Sequence, residues 1–313
     1  MRFRPPALLA SLLGLATALS VGIPAAQAAP APADAASTAV VADRLVLEPT
    51  DFGYRGSLDV QLTYQGSAPG RARYVITEPI PGSYQNDEWG ITCYSGGKRL
   101  SDGRIRVECD VPGGELQPGE VRDFTIDFEV LTTVQPYAMK ARKGRLAVTV
   151  DGQVVTDETF RTRFRSATGS LKDPQPYVRD TQPDAGITTG DLTLVRQPDG
   201  TFEGRLPITV GYRTDAPHHA HYLITSNLPP GVYEMQTDPF DGCAHFCVPG
   251  GQLMEGEQRS FDLIFTGPAD TPLGHLGEAG IEVQTDPWQP QPPLDLDPSD
   301  NATTFSITAV DAA

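Results

Sequence analysis

Apolar and polar residues alternate along most of this chain. Leu58, Val60, Leu62 and Tyr64 alternate with Asp59, Gln61 and Thr63. Leu206, Ile208, Val210 and Tyr212 repeat the pattern, as do Phe124, Ile126, Phe128 and Val130, and then Leu146, Val148 and Val150. A period of two turns one side of a strand toward a core and the other toward water. Turn-forming clusters separate these short runs: GSAPG, PIPGS, VPGG, QPGE and VDGQ. Strands at a spacing of roughly ten residues with such turns between them make a sandwich or barrel. No helical period follows the N-terminal segment, so the pattern predicts an all-β protein.

The pattern is written twice. CDVPGGELQPGEVRDFTIDF (109–128) returns as CVPGGQLMEGEQRSFDLIF (247–265), and LDVQLTYQGSAPGRARYVITEPIPGSY (58–84) as LPITVGYRTDAPHHAHYLITSNLPPGVY (206–233). Tyr64 matches Tyr212, Ala68-Pro69 matches Ala216-Pro217, Tyr74 matches Tyr222 and Ile76-Thr77 matches Ile224-Thr225, all 148 positions apart. One extra residue then enters before Pro81-Gly82 and Pro230-Gly231, and the later stretch sits 137 apart, which places a shorter loop between the cysteines of copy two. A repeat of this length is a domain duplication rather than a solenoid, whose periods are roughly 20–50 residues. The expectation is two tandem immunoglobulin-like β-sandwiches, residues 38–165 and 184–313. Residues 166–183, SATGSLKDPQPYVRDTQP, carry the prolines of an extended, semi-rigid linker. Residues 29–37 have little to bury and are expected to be disordered. The proline-rich stretch 286–300 is expected as a long loop between the last two strands.

Residues 1–28 have the features of a signal peptide: Arg2 and Arg4, an apolar core from Leu8 to Val21, and the small-x-small site Ala26-Gln27-Ala28. The core is too short to span a bilayer, which takes roughly 17–25 residues. The expectation is therefore a secreted, extracellular chain cleaved after Ala28, with no membrane span in its mature part. Removing the two leader arginines leaves 22 Lys and Arg against 40 Asp and Glu. Residues 29–165 hold sixteen cations and nineteen acids, residues 166–313 six and twenty-one. This balance argues against nucleic acid and against anionic membrane surfaces, both of which need clustered Lys and Arg.

Four cysteines in an exported chain suggest two disulfides. Each copy contains two at matching places, so the repeat favours Cys93–Cys109 and Cys243–Cys247 over free thiols or a bridge between copies. Of His218, His219 and His221 in PHHAHYLIT, His219 and His221 would share one strand face as a metal pair, or be its solvent face, where copy one has Arg71 and Arg73. Asp295, Asp297 and Asp300 in DLDPSDN are oxygen donors that suit calcium, or else an acidic turn capping the last strand. No other cofactor is implied. Trp89 and Tyr94 in copy one and Phe240 in copy two lie near the cysteine loops, where exposed rings stack on sugars and buried ones pack under the loop. The chain has no G-x-S-x-G, no H-E-x-x-H and no P-loop, and all five histidines fall in copy two.

The end of copy two resembles the bacterial conserved-repeat and CARDB-like β-sandwich domains of secreted and cell-surface proteins. The resemblance rests on Leu253 and Gly256 at a turn into a strand, then Asp300-Asn301-Ala302 before the last one. Copy one keeps the turn as Leu116, Pro118 and Gly119 but has TDETFRTRF in place of the Asp/Asn motif. The resemblance implies modular domains used for adhesion, spacing or presentation, and fold alone does not fix function. The expected function is a non-catalytic extracellular binding, adhesion or spacer protein whose partner is a protein or a cell-envelope polysaccharide. The alternatives are a glycan-binding module using the aromatic loops and a hydrolase with an unrecognised site.

Overall fold

The structure is a computed structural model and describes residues 36–85, 93–94, 97–240, 246–288 and 292–312. Among these residues there is no helix long and apolar enough to cross a membrane. The secondary structure is strands throughout, and the buried side chains form two separate clusters, one within 39–164 and one within 185–309.

The first sandwich contains β1 (Thr38–Val41), β2 (Arg44–Thr50), β3 (Gly53–Thr63), β4 (Ala72–Thr77), β5 (Lys98–Arg99), β6 (Ile105–Asp110), β7 (Val121–Val130), β8 (Met139–Lys140), β9 (Gly144–Val150) and β10 (Gln153–Phe164). A two-residue strand, β11 (Gln175–Pro176), follows in the linker. The second contains β12 (Ala185–Thr189), β13 (Leu192–Arg196), β14 (Phe202–Tyr212), β15 (His221–Ser226), β16 (Tyr233–Asp238), β17 (Gln258–Gly267), β18 (Gly274–Thr285) and β19 (Ala302–Val310). In the second, β12, β14, β17 and β16 make one antiparallel layer, and β15, β18 and β19 the other. β13 crosses between the layers, antiparallel to β14 and parallel to β19. This is the strand order of an immunoglobulin-like sandwich. The first sandwich repeats it with β1, β3 and β7 against β4, β9 and β10, and β2 crosses over. Its second layer is extended by β6 and β5, whereas the second sandwich spends the same stretch on β16.

Aromatic contacts across the layers fill each core: Phe128 on β7 lies 6.0 Å from Phe160 on β10, and Phe265 on β17 lies 6.0 Å from Phe305 on β19. The crossing strand imposes a glycine. A Cβ on Gly56 would stand 2.1 Å from the Val46 carbonyl oxygen, and one on the equivalent Gly204 would stand 2.5 Å from that of Thr193. Only glycine lets the two backbones approach so closely.

The stretch repeated at 109–128 and 247–265 folds as an arginine-clasped turn. Arg122 donates to the carbonyls of Pro112 and Gly114 and pairs with Glu120, whose second oxygen accepts the Gln117 N–H. Arg259 does the same with Pro249, Gly251 and Glu257, whose second oxygen accepts the Met254 N–H. The Gln117 N–H and then Arg122 hold the Glu120 carboxyl below the usual range.

Two expectations are refined here. The stretch expected as a linker turns at 166–170, where the Gly169 N–H donates to Ser166 O, and is docked: β11 pairs in parallel with β8, and the Tyr177 ring packs 4.7 Å from Phe164. Of the stretch expected to be disordered, residues 29–35 lie outside the described residues, and Ser37 Oγ accepts the Gln65 N–H at 3.1 Å. The loop expected at 286–300 does lie between β18 and β19.

Candidate functional site at the junction of the sandwiches

The repeat hides a one-residue slip. The Val111 N–H donates to Ala72 O in copy one, and in copy two the Val248 N–H donates to His221 O. His221 therefore stands where Ala72 stands, 149 positions on, and the extra residue enters before β15 rather than after it. Because side chains alternate, a slip of one turns the whole strand over. Tyr74 and Ile76 of YVIT are buried, at 1% and 0% exposure; Ile224 of the matching YLIT is 38% exposed, and Tyr222 faces outward beside it. Trp288, 68% exposed, meets Tyr222 edge to face at 6.2 Å. The same slip corrects the histidine reading. His221 is buried, His219 is exposed before the strand begins, and the two share no face.

His221 packs instead against His218, with ring centroids 4.4 Å apart, and both rings lie on Tyr212. Burial lowers the pKa of His218 to about 4 and takes that of His221 well below its ordinary value. His218 occupies the position of Gly70. In copy one the Leu116 N–H donates to the Gly70 carbonyl; in copy two the equivalent Leu253 N–H donates to His218 Nε2 at 3.2 Å. His218 Nδ1 reaches Ala216 O at 3.3 Å, and the Tyr212 hydroxyl donates to the same oxygen at 2.7 Å.

The loop and the turn that His218 joins both touch the first sandwich or its linker among the described residues. On the loop side, the buried guanidinium of Arg179 donates from Nε to Asp215 O at 2.6 Å and from Nη1 to Pro81 O at 2.8 Å. The Asp215 carboxylate accepts the Tyr177 hydroxyl at 2.5 Å and the Asp180 N–H at 2.8 Å. Burial and this carboxylate push the Tyr177 hydroxyl well above its ordinary pKa, so it remains a donor. Pro217 covers Gly82, where a Cβ would stand 2.3 Å from the proline ring and φ is +65°. On the turn side, one oxygen of Glu255 accepts both the Thr132 hydroxyl and the Thr133 N–H at 3.0 Å.

A second buried charge braces the Pro81–Gly82 turn. Glu78, with no exposure, accepts four N–H groups: Gly82 and Ile105 on one oxygen, at 2.9 and 2.7 Å, and Ser83 and Tyr84 on the other, at 3.1 and 3.2 Å. Burial raises its pKa and the N–H donors oppose the rise. With donors on every side, the pocket is shaped for the anion.

The residues singled out from the sequence do not converge. Cys93 and Cys109 form a disulfide, with the Tyr84 hydroxyl 3.3 and 3.2 Å from the two sulfurs. Cys247 is also disulfide-bonded, whereas Cys243 lies outside the described residues. By backbone register Cys247 is equivalent to Asp110 rather than to Cys109, so the cysteines do not occupy matching places in the two copies. Tyr94 is 41% exposed, with Arg73 4.5 Å above its ring and Asp110 accepting its hydroxyl; Phe240 is 64% exposed, and Trp89 lies outside the described residues. Asp295 accepts the N–H groups of Ala185 and Asp297, Asp297 accepts that of Ser299, and Asp300 pairs with Arg213. These are the bonds of a capping turn, and no three His, Cys, Asp or Glu side chains converge as metal ligands among the described residues.

Arg179, Asp215, Glu255 and Glu78 were missed in the sequence, and His218 was weighed only as one of a histidine cluster that could hold metal. The signal for His218 was present, a histidine standing where the other copy has glycine.

No protein-family model matches the chain, and no curated protein matches it. Among solved structures it is similar to a protein of unknown function from Porphyromonas gingivalis W83, at 13% identity over 87% of this chain and 98% of that one, with a TM-score of 0.24. It is also similar to an uncharacterized Nocardia farcinica protein with an immunoglobulin-like fold, at 13% identity over 38% of this chain and 82% of that one, with a TM-score of 0.23. A third is the cohesin module of a Clostridium perfringens ATCC13124 family 33 glycoside hydrolase, at 10% identity over 41% of this chain and 96% of that one, with a TM-score of 0.23.

Proposed function

We propose that the chain is a secreted, non-catalytic binding or adhesion protein that engages a partner protein or cell-envelope polysaccharide through the outer face of its second sandwich. The observation that carries this reading is the turned-over strand β15. It presents half-exposed Tyr222 and exposed Ile224 beside Trp288, where the register-equivalent positions of the first sandwich hold Arg73 and Val75 and no aromatic ring, the like-lettered Tyr74 and Ile76 being buried there. Exposed aromatic and aliphatic groups grouped on a sheet face suit protein or glycan contact. The disulfides and the absence of a spanning helix among the described residues fit an extracellular setting.

The test is co-sedimentation of the chain with the producing cell's envelope, native against Trp288→Ala, with and without EDTA. Binding that the substitution weakens tenfold or more supports the outer face, and insensitivity to EDTA separates this from cation-dependent attachment through 295–300. Equal binding by both proteins, or no binding, overturns the reading.

A further inference from the structure

We propose that His218 is the latch of an acid-operated hinge: its neutral ring ties together two contacts between the sandwiches, and its protonation releases them. The argument starts from the bonding pattern. Nε2 accepts the Leu253 N–H while Nδ1 faces the Ala216 carbonyl, so the neutral ring donates from one nitrogen and accepts at the other. A proton added at Nε2 would set one N–H against another. No rotation of the ring cures this, because an imidazolium has two donors and no acceptor.

The placement turns that local conflict into a hinge. Ala216 lies between Asp215, which holds Tyr177, Arg179 and Asp180, and Pro217, which covers Gly82. Leu253 lies two residues before Glu255, which holds Thr132 and Thr133. One ring thus bonds the bases of both contacts. His221 adds to the effect. Its Nδ1 lies 3.0 Å from the Thr285 hydroxyl, its Nε2 is buried with no hydrogen-bond partner, and a charge on either ring would sit beside the other. In the first sandwich the equivalent bond ends on a backbone carbonyl, that of Gly70, and cannot titrate.

The charged and titratable groups facing the pair come from every element packed on it. They are Tyr212 on β14, His219 in the loop, Asp286 after β18, Arg259 on β17 and Arg179 in the linker. Asp286 favours the charged form of His218, Arg179 and His219 oppose it, and burial outweighs them all. Asp180 works in the opposite sense. Its pKa is raised by burial and by Asp215, so acid stabilises its side of the closed junction.

The depressed pKa sets the direction. The contribution of His218 is complete above pH 6.5, the ordinary value, and is lost as pH falls toward about 4. If release restores the ordinary value, the open-to-closed ratio rises about 30-fold between pH 7.5 and pH 5.

Native-state hydrogen exchange on the full chain, corrected for intrinsic rates, reads this ratio. The reporters are the N–H groups of Leu253, Asp180 and Thr133, each bonded across the latch or the junction. Their protection is expected to fall together about 30-fold from pH 7.5 to pH 5, while amides of β3 and β14 hold theirs. In His218→Gln, whose amide oxygen still accepts the Leu253 N–H, the Asp180 and Thr133 reporters should stay flat, and Asp180→Asn should steepen the native response. Flat protection in the native chain, or an equal fall in His218→Gln, overturns the proposal. Should that variant not fold, the native imidazoles decide, because a His218 ring that titrates near 6.5 while the Asp180 N–H stays protected is equally fatal to it.

Discussion

Arg179→Lys is the sharpest test of how the junction is built. The substitution keeps the positive charge, so the cost of burying a cation is unchanged to first order. What changes is the fork. Arg179 reaches two carbonyls in different directions, Asp215 O from Nε and Pro81 O from Nη1, and it is only 6% exposed. An ammonium at the end of a flexible stem serves one of them and leaves the other buried without a donor. A hydrogen bond to a charged group contributes about 1.5–3 kcal/mol, so closure should weaken about 10- to 150-fold. The loss belongs to the junction alone, since neither carbonyl is an acceptor in a sheet ladder. Exchange of the Asp180 N–H at pH 7.5 should therefore accelerate by that factor, while urea unfolding of the sandwich cores stays put. Acceleration of less than threefold would show that Arg179 does not clamp the sandwiches, and an equal loss of protection in β3 and β14 would show that it stabilises the cores instead.

Two further predictions concern the sandwiches themselves. Gly56→Ala forces a methyl against the Val46 carbonyl and should cost about 3 kcal/mol or more in urea unfolding. Gly251→Ala meets nothing and carries only the left-handed backbone penalty, about 1–2 kcal/mol. Equal effects would undo the close-approach reading. Replacing Cys93 and Cys109 together by serine opens a bridge of separation 16 and should cost about 3 kcal/mol, about 10 °C in the melting temperature of the first sandwich. A shift below about 3 °C would show that the bridge does not restrain the unfolded chain as the entropy argument requires.

Much of this architecture was legible because it is written in period two. The strands over Leu58–Thr63 and Leu206–Tyr212 and the duplication follow from alternation and repeat spacing, and the loop after β18 from its prolines. The slip in β15 did not. Sequence likeness aligns YVIT with YLIT at 148, but burial obeys the backbone ladder, which aligns them at 149. Similar letters therefore face opposite ways, and the histidines were assigned to the wrong side. The junction was illegible for a different reason. Its bonds mostly end on backbone carbonyls and N–H groups, such as Asp215 O, Pro81 O and the Thr133 N–H, and these leave no mark in residue type.

The two copies keep the same clasp and the same crossing glycine, so selection on the sandwich itself is common to both. They differ where one copy meets the other. Gly70 and Ala72 in the first sandwich become His218 and His221 in the second, at the end that abuts its neighbour. An isolated sandwich has no use for two buried imidazoles there, since burial disfavours their charged forms and leaves one nitrogen without a partner. Such a cost is tolerated where the groups do something a carbonyl cannot. A backbone bond holds at every pH at which the fold survives, whereas a bond accepted by an imidazole holds only while that imidazole is neutral. The divergence of the copies thus converts a permanent contact into a conditional one, at a place where a change in bonding alters how the two sandwiches are held together.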